Sequence, residues 1–263
     1  MLLSSVTKHV KDQNWFAVWI DLLIVIVGVF IGIQVANWNE SRVDEARATA
    51  YLERIVQDLD VDLVSIKDSM SFWKQVSDYG MSAIDYANTS ENKSLSDWQI
   101  LLAFFQASQL GEYYLTKTTY NELINAGDLG LINNINLRNK ISQFYNEAAV
   151  QVFEERPLYR EHIRGYIPIK LQNYIWEHCY SSDNSAKQTL INCKSPELEL
   201  NINEVLQTIV HDKVLIRELR SWLSSQRVFF IVGGYQIKIA NALKDVIQQE
   251  LKSQNNTDKD ASN

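Results

Sequence analysis

The hydrophobic pattern opens on one unbroken run: every residue from Leu22 to Ile33 is apolar or glycine, and the run reaches back to Trp15 and on to Ala36 with only Asp21 and Gln34 interrupting it. About twenty such residues at ~1.5 Å each cross a hydrocarbon layer of roughly 30 Å, so the pattern predicts one membrane-spanning helix over 15–38. Trp15 and Trp19 at one end and Trp38 at the other stand where amphipathic indoles favour the headgroup region. Removal as a signal peptide is disfavoured, because a cut after Ala36 would put Gln34 where a small residue is wanted.

The helical pattern then continues. Leu52, Ile55, Leu59, Leu63, Ile66, Met70 and Trp73 follow one another at three- and four-residue steps, a near-heptad stripe that predicts a long stalk helix. Asn88 to Ser96 is a polar break, after which Trp98, Leu101, Leu102, Phe104 and Phe105 open a second helix with Ser96 or Asp97 as its cap. A short helix is expected near Thr118 to Ala126, then a turn bracketed by Gly127 and Gly130. A further helix follows, through Ile135, Ile141, Phe144, Tyr145, Ala148 and Val152, ended or kinked by Pro157. Tyr166 to His178 reads as a shorter helical piece, and Cys179 to Cys193 encloses a loop rich in Ser and Asn. One last long helix is expected from about Asn203 to Leu251, with Leu215, Leu219, Trp222, Phe229, Gly233, Ile237, Ala240, Leu243 and Ile247 on one stripe. The all-apolar stretch Val228 to Val232 is too short to cross a membrane, so it is expected to be buried in the bundle.

These patterns predict an all-α fold: one N-terminal transmembrane helix continuing into a long stalk helix, then an elongated helical bundle. The expected organisation is a short cytoplasmic N-terminus over 1–14, the transmembrane helix over 15–38, an α-helical extracytoplasmic domain over 39–251 and a disordered tail over 252–263. Lys8 and Lys11 before the span and Arg42 and Arg47 after it favour this orientation by a narrow margin. Nine glycines and three prolines in 263 residues supply little of the turn chemistry that a many-stranded β fold needs. The net charge of -7 and the lack of a basic stripe argue against a nucleic-acid partner.

Candidate chemistry is sparse. Asp21, Gly28, Gly32 and Ala36 share one face of the span, and Gly28-Val29-Phe30-Ile31-Gly32 is a small-xxx-small pattern that lets two helix backbones approach. The face is read either as a packing surface, for a second copy or another membrane protein, or as a chance run of a residue common in membrane helices. Asp21 adds weight to the first reading, since an acidic group at membrane depth usually faces protein or water. In an oxidising compartment Cys179 and Cys193 would close a loop of about fifteen residues; otherwise they are two buried thiols. A metal site from His178, Cys179, Cys193 and His211 lacks the paired spacing of structural zinc. Asp58, Asp60 and Asp62 superficially resemble a calcium loop, but Leu59 and Val61 between them are apolar and the required glycine is missing, so they are expected to form a solvated helix face. His162 beside Glu161 is expected at the surface. No Gly-x-Ser-x-Gly, His-Glu-x-x-His or phosphate-binding loop occurs, so no catalytic residue, metal or cofactor is assigned and no enzyme is expected. The loop Asn125 to Asn133 is the one singled out, either as a helix redirector or as a contact for a small ligand or partner.

Two stretches together resemble a family of bacterial single-pass membrane proteins of unknown function. An acidic residue opens a glycine-containing apolar helix that closes on a Trp-x-Glu signature followed by arginine, here Asp21 through Gly28 and Gly32 to Trp38-Asn39-Glu40-Ser41-Arg42. Downstream the likeness returns at Thr119-Tyr120-Asn121-Glu122-Leu123, Gly127-Asp128-Leu129, Leu131-Ile132 and Leu137-Arg138. The resemblance implies a bacterial inner-membrane protein with its bulk in the periplasm, and it implies no activity. The expected function is a non-enzymatic envelope scaffold or partner-binding subunit, touching membrane lipid and pairing through its anchor. The alternative is a sensory module that signals through a partner, since Met1 to Gln13 offers no output domain.

Overall fold

A computed structural model describes residues 15–89, 95–111, 114–147, 157–183, 187–197 and 200–261. The chain is an all-α protein in which one very long N-terminal helix, α1 (Trp15–Thr89), packs against a bundle of further helices. At ~1.5 Å per residue its 75 residues make a rod of roughly 110 Å. Next come α2 (Asp97–Gln106), α3 (Thr118–Asn125), a 3-10 turn (Asp128–Leu131), α4 (Ile135–Glu147), α5 (Leu158–Tyr166) and α6 (Ile169–His178). A two-stranded ribbon of β1 (Tyr180–Ser182) and β2 (Gln188–Leu190) follows, then α7 (Ile202–His211) and α8 (Lys213–Ala261). The expected cytoplasmic segment 1–14 lies outside the described residues, as do Ala148 and Val152.

The backbone of the fold is an antiparallel pair of α1 and α8, and its sequence logic is a strict heptad. On α1 the buried positions Ala48, Leu52, Ile55, Leu59, Asp62, Ile66, Ser69, Trp73, Val76, Gly80 and Ala83 alternate steps of four and three. On α8, Leu215, Leu219, Trp222, Gln226, Phe229, Gly233, Gln236, Ala240, Leu243 and Ile247 do the same. A 3.5-residue repeat on both helices is the pattern that keeps two seams facing each other. The register follows from the contacts: Gly80 lies against Leu223, Gly233 against Met70 and Trp73, Lys244 pairs with Asp60, and Thr49 donates to Gln254 at 3.2 Å. Met70 therefore flanks the seam rather than forming it.

Two cores hang on this pair. The proximal one joins Tyr51 to Leu63 of α1 with Leu123 of α3, Leu137 to Tyr145 of α4, and Ala240 to Ile247 of α8. The distal one joins Phe72 to Ile84 of α1 with α2, α5, α6, β2, α7 and Leu215 to Phe229 of α8. Helix α2 is buried along almost its whole length, and Ser96 starts it through a reciprocal capping box with Gln99.

Several boundaries differ from the sequence pattern. Pro157 and Pro168 each precede a helix as its cap, so α5 and α6 are separate, where one helical piece from Tyr166 was expected. The expected helix over 203–251 is split at Asp212, whose Oδ1 accepts from Val214 N and Leu215 N at 2.8 and 3.1 Å and thereby restarts the chain as α8. That helix runs on past Leu251 to Ala261. The expected Ser/Asn loop contains the β ribbon, with Tyr180 opposite Leu190 and Ser182 opposite Gln188. Val228 and Ile231 are exposed while Phe229 is buried, which corrects the expectation that the apolar stretch 228–232 is buried on all sides. It straddles the edge of the seam.

Candidate functional site

In the proximal core the helix–turn–helix of α3 and α4 is fastened to α1 by the residues of the sequence motif. Thr119 and Leu123 point inward, while Glu122 reaches outward to the guanidinium of Arg54, which donates through Nη1 at 3.1 Å and through Nη2 to the other oxygen. That pairing holds the Glu122 carboxyl below its ordinary pKa. Gly127 has φ 76°, a left-handed conformation that suits glycine, and its bend aims Asp128 back at α1. There Asp128 accepts from the Tyr51 hydroxyl at 3.1 Å and from Arg47 at 3.4 Å. A Cβ at Gly130 would meet nothing, so that glycine answers no steric demand. Asn134 caps α4 and donates to Glu250 at 2.8 Å, and Arg138 folds back onto the Ile132 carbonyl. The loop Asn125 to Asn133 thus redirects two helices and ties them to α1 through Asp128, while Asn134 just beyond it makes the tie to α8.

Behind this turn lies the one buried group of ionisable residues that the sequence reading misplaced. Asp60 is at the surface, paired with Lys244, as expected of a solvated face. Asp62 is not: it is completely buried at a heptad position, where it accepts from Thr116 N at 2.8 Å. Asp58, one turn earlier, is half-buried. Across from them Tyr145 of α4 stacks on Tyr120 of α3, with ring centroids 4.5 Å apart. Asp58 Oδ2, Asp62 Oδ2 and the Tyr145 hydroxyl are all sealed from solvent without a hydrogen-bond partner among the described residues. Burial, with a smaller push from the charge of Asp58, raises the Asp62 carboxyl to about 6 against the opposing bonds from Thr116. Burial first, then both aspartates, drives the Tyr145 phenol well above its ordinary value. The legible signal was spacing: the step of three from Leu59 to Asp62 keeps the heptad, whereas the apolar Leu63 departs from it.

Further along the seam Gln226 and Gln236 are buried with side-chain atoms that lack partners among the described residues. Nothing in the sequence reading marked them.

The remaining candidate residues fall elsewhere. Cys179 and Cys193 are joined at the distal end, with Cα atoms 5.0 Å apart. Gln106 donates to the Cys179 carbonyl at 2.8 Å and Trp98 to that of Cys193 at 3.0 Å, so both arms of the loop are tied to α2. Asp21, Gly28, Gly32 and Ala36 lie on the first third of α1, where a Cβ at either glycine would meet nothing within 4 Å. Trp15, Trp19 and Trp38 are exposed there, the last with Arg42 over its ring at 5.3 Å. Among the described residues α1 alone is long and apolar enough to cross a membrane, and its apolar segment packs on nothing else. His162 lies at the surface against Glu218. Among the described residues no group of three or more His, Cys, Asp or Glu side chains is placed to hold a metal ion.

Fold and site define a largely helical protein whose motif residues fasten helices to a continuous rod. The chain belongs to a family of unknown function (DUF6090), whose model matches residues 21–166. The matched segment takes in the apolar part of α1, the α3–α4 turn and α2, and it stops at the end of α5. No curated protein matches, and no solved structure does.

Proposed function

We propose that this protein is a membrane-anchored helical scaffold or partner-binding subunit of the bacterial cell envelope, held in the inner membrane by residues 15–38 with its helical bundle in the periplasm. The observation that carries this reading is the continuity of α1: one unbroken helix joins a bare apolar segment to two packed cores. Apolar surface of that extent is costly in water, and lipid is the solvent that removes the cost. The bare face of Gly28 and Gly32 supports close approach of a second helix, from another copy or another membrane protein. The joined cysteines support an oxidising compartment for the bundle.

The test is thiol labelling in intact and permeabilised cells with a membrane-impermeant reagent, before and after reduction. Labelling of Cys179 and Cys193 in intact cells only after reduction is the expected result. Labelling that required permeabilisation and no reduction would place the bundle in the cytoplasm and remove both the envelope role and the disulfide. A sensory role is the second reading, favoured by the same unbroken helix, because a displacement of either core would be carried along α1 to the apolar segment.

A further inference from the structure

We propose that two copies of this chain pair in parallel along the outer face of α1, from Gly28 in the apolar segment to Val64 beside the proximal core; the parallel arrangement rests on the membrane anchoring proposed above. At ~100° per residue, Gly28, Gly32 and Ala36 in the apolar segment and Val43, Ala50 and Val64 beyond it fall within roughly 80° of arc. The seam that meets α8, through Leu52, Ile55 and Leu59, lies on the opposite side of the helix.

Past Trp38 the same face leaves the lipid, and there apolar exposure has no solvent to explain it: Val43 is 51% exposed, Val61 61% and Val64 60%. A helix face turned to water ordinarily carries charge. Along this stretch the charged residues stand to either side of the stripe instead, Glu40, Arg42, Arg47, Glu53 and Asp60 among them, and Arg54 at its edge is held by Glu122. The bundle leaves the stripe clear, since α8 packs behind it and the α3–α4 turn docks on a flank through Arg47, Tyr51 and Arg54.

The occupant has to be a helix that also emerges from the membrane and runs unbroken for roughly 54 Å, and α1 of a second copy is such a helix. The polar members of the stripe point to self-pairing. Asn39 and Gln57 are amides, which carry both donor and acceptor and can bond their own copies across a two-fold axis, as two carboxylates or two ammonium groups cannot. The edges are complementary too: a parallel copy sets Arg42 beside Glu40 of the second copy, about 3 Å apart in height, and Glu53 beside its Arg54, about 1.5 Å apart. The small residues at Gly28, Gly32 and Ala36 let the two backbones approach where the pair lies in lipid.

The experiment places single cysteines in the full chain, in membranes of intact cells, at Val43, Ala50 and Val64 on the stripe and at Ser41 and Glu45 off it, and treats them with a short bis-maleimide. The three stripe variants are expected to give an adduct of twice the chain mass, several-fold more of it than Ser41→Cys, Glu45→Cys or wild type. Linking that is absent, equal at all five positions or stronger off the stripe overturns the pairing. An adduct of another mass at the stripe positions makes the occupant a different protein and overturns it too. A membrane-impermeant maleimide on the same cells separates this from the anchoring: labelling at all five positions without linking at the stripe sinks the pairing alone. Labelling that needs permeabilisation removes the periplasmic placement and leaves the twice-mass adduct to decide the pairing, whereas recovery of the chain in the soluble fraction removes the anchor and the parallel pair together.

Discussion

Replacing Gly111 by alanine adds one methyl group between two buried aromatic rings of the distal core. A Cβ there would stand 2.6 Å from Cδ1 of Phe72 and 2.8 and 2.9 Å from Nε1 and Cδ1 of Trp73. Both rings are rigid and buried, and the indole has no room to retreat: Trp73 packs on Phe229 with centroids 5.1 Å apart and lies against Gly233 on its far side. Overpacking of this kind costs about 1–3 kcal/mol. Any shift of the indole also lengthens its bond to the Gly111 carbonyl, now 2.7 Å, and a buried N–H left without an acceptor costs about 1–3 kcal/mol more. The expected loss is therefore about 3 kcal/mol, read by guanidinium unfolding of the full chain in detergent. Gly80→Ala is the matched comparison, because its new methyl would meet only the flexible end of Leu223, and its cost should stay below about 1 kcal/mol. Adding Phe72→Leu to the Gly111 variant should recover part of the loss. A loss below about 0.5 kcal/mol for Gly111→Ala, or equal losses at both glycines, would refute the rigid-ring argument.

Replacing both Cys179 and Cys193 by serine reopens a loop of about fifteen residues and should cost roughly 3 kcal/mol in the chain-entropy account, measured by denaturation under non-reducing conditions; an unchanged midpoint would show that α2 alone holds the loop. Ser96→Ala removes the capping box of α2 and should cost about 1 kcal/mol by the same assay, with no loss counting against the cap. Isoleucine at both Gly28 and Gly32 should abolish crosslinking between neighbouring anchors in membranes, and unchanged crosslinking rules out pairing through that face.

The long-range architecture was legible where it was repetitive. The stripe from Leu52 to Trp73 announced α1, and the stripe from Leu215 to Ile247 announced α8, because a seam between two helices imposes its period on both. What escaped notice were the polar members of the same seam. Asp62, Ser69, Gln226 and Gln236 keep the heptad spacing but not its chemistry, and a reading that sorts residues by polarity assigns them outward. The break at Asp212 escaped for a related reason: apolar residues continue on both sides, and only the carboxylate bonds to Val214 and Leu215 reveal that the chain restarts. The exposure of Val228 and Ile231 depends on which face α8 turns to α1, which a five-residue run does not encode. At the turn, Gly127 and Gly130 were identified as its brackets, yet Asp128 between them makes the contacts that dock the turn on α1.

The unbroken course of α1 also sets heights and azimuths. Between Trp38 and Trp73 lie about 50 Å of uninterrupted helix, so the distal core stands at a fixed elevation above the apolar segment, and each residue along the way turns its bearing by ~100°. Inserting one residue between Val43 and Ala48 would swing both cores a quarter-turn around the shaft, whereas inserting seven would lift them by roughly 10 Å and return them nearly to their original heading. Whatever the cores meet must therefore be found at one altitude and in one compass direction, and the chain's own geometry does the selecting.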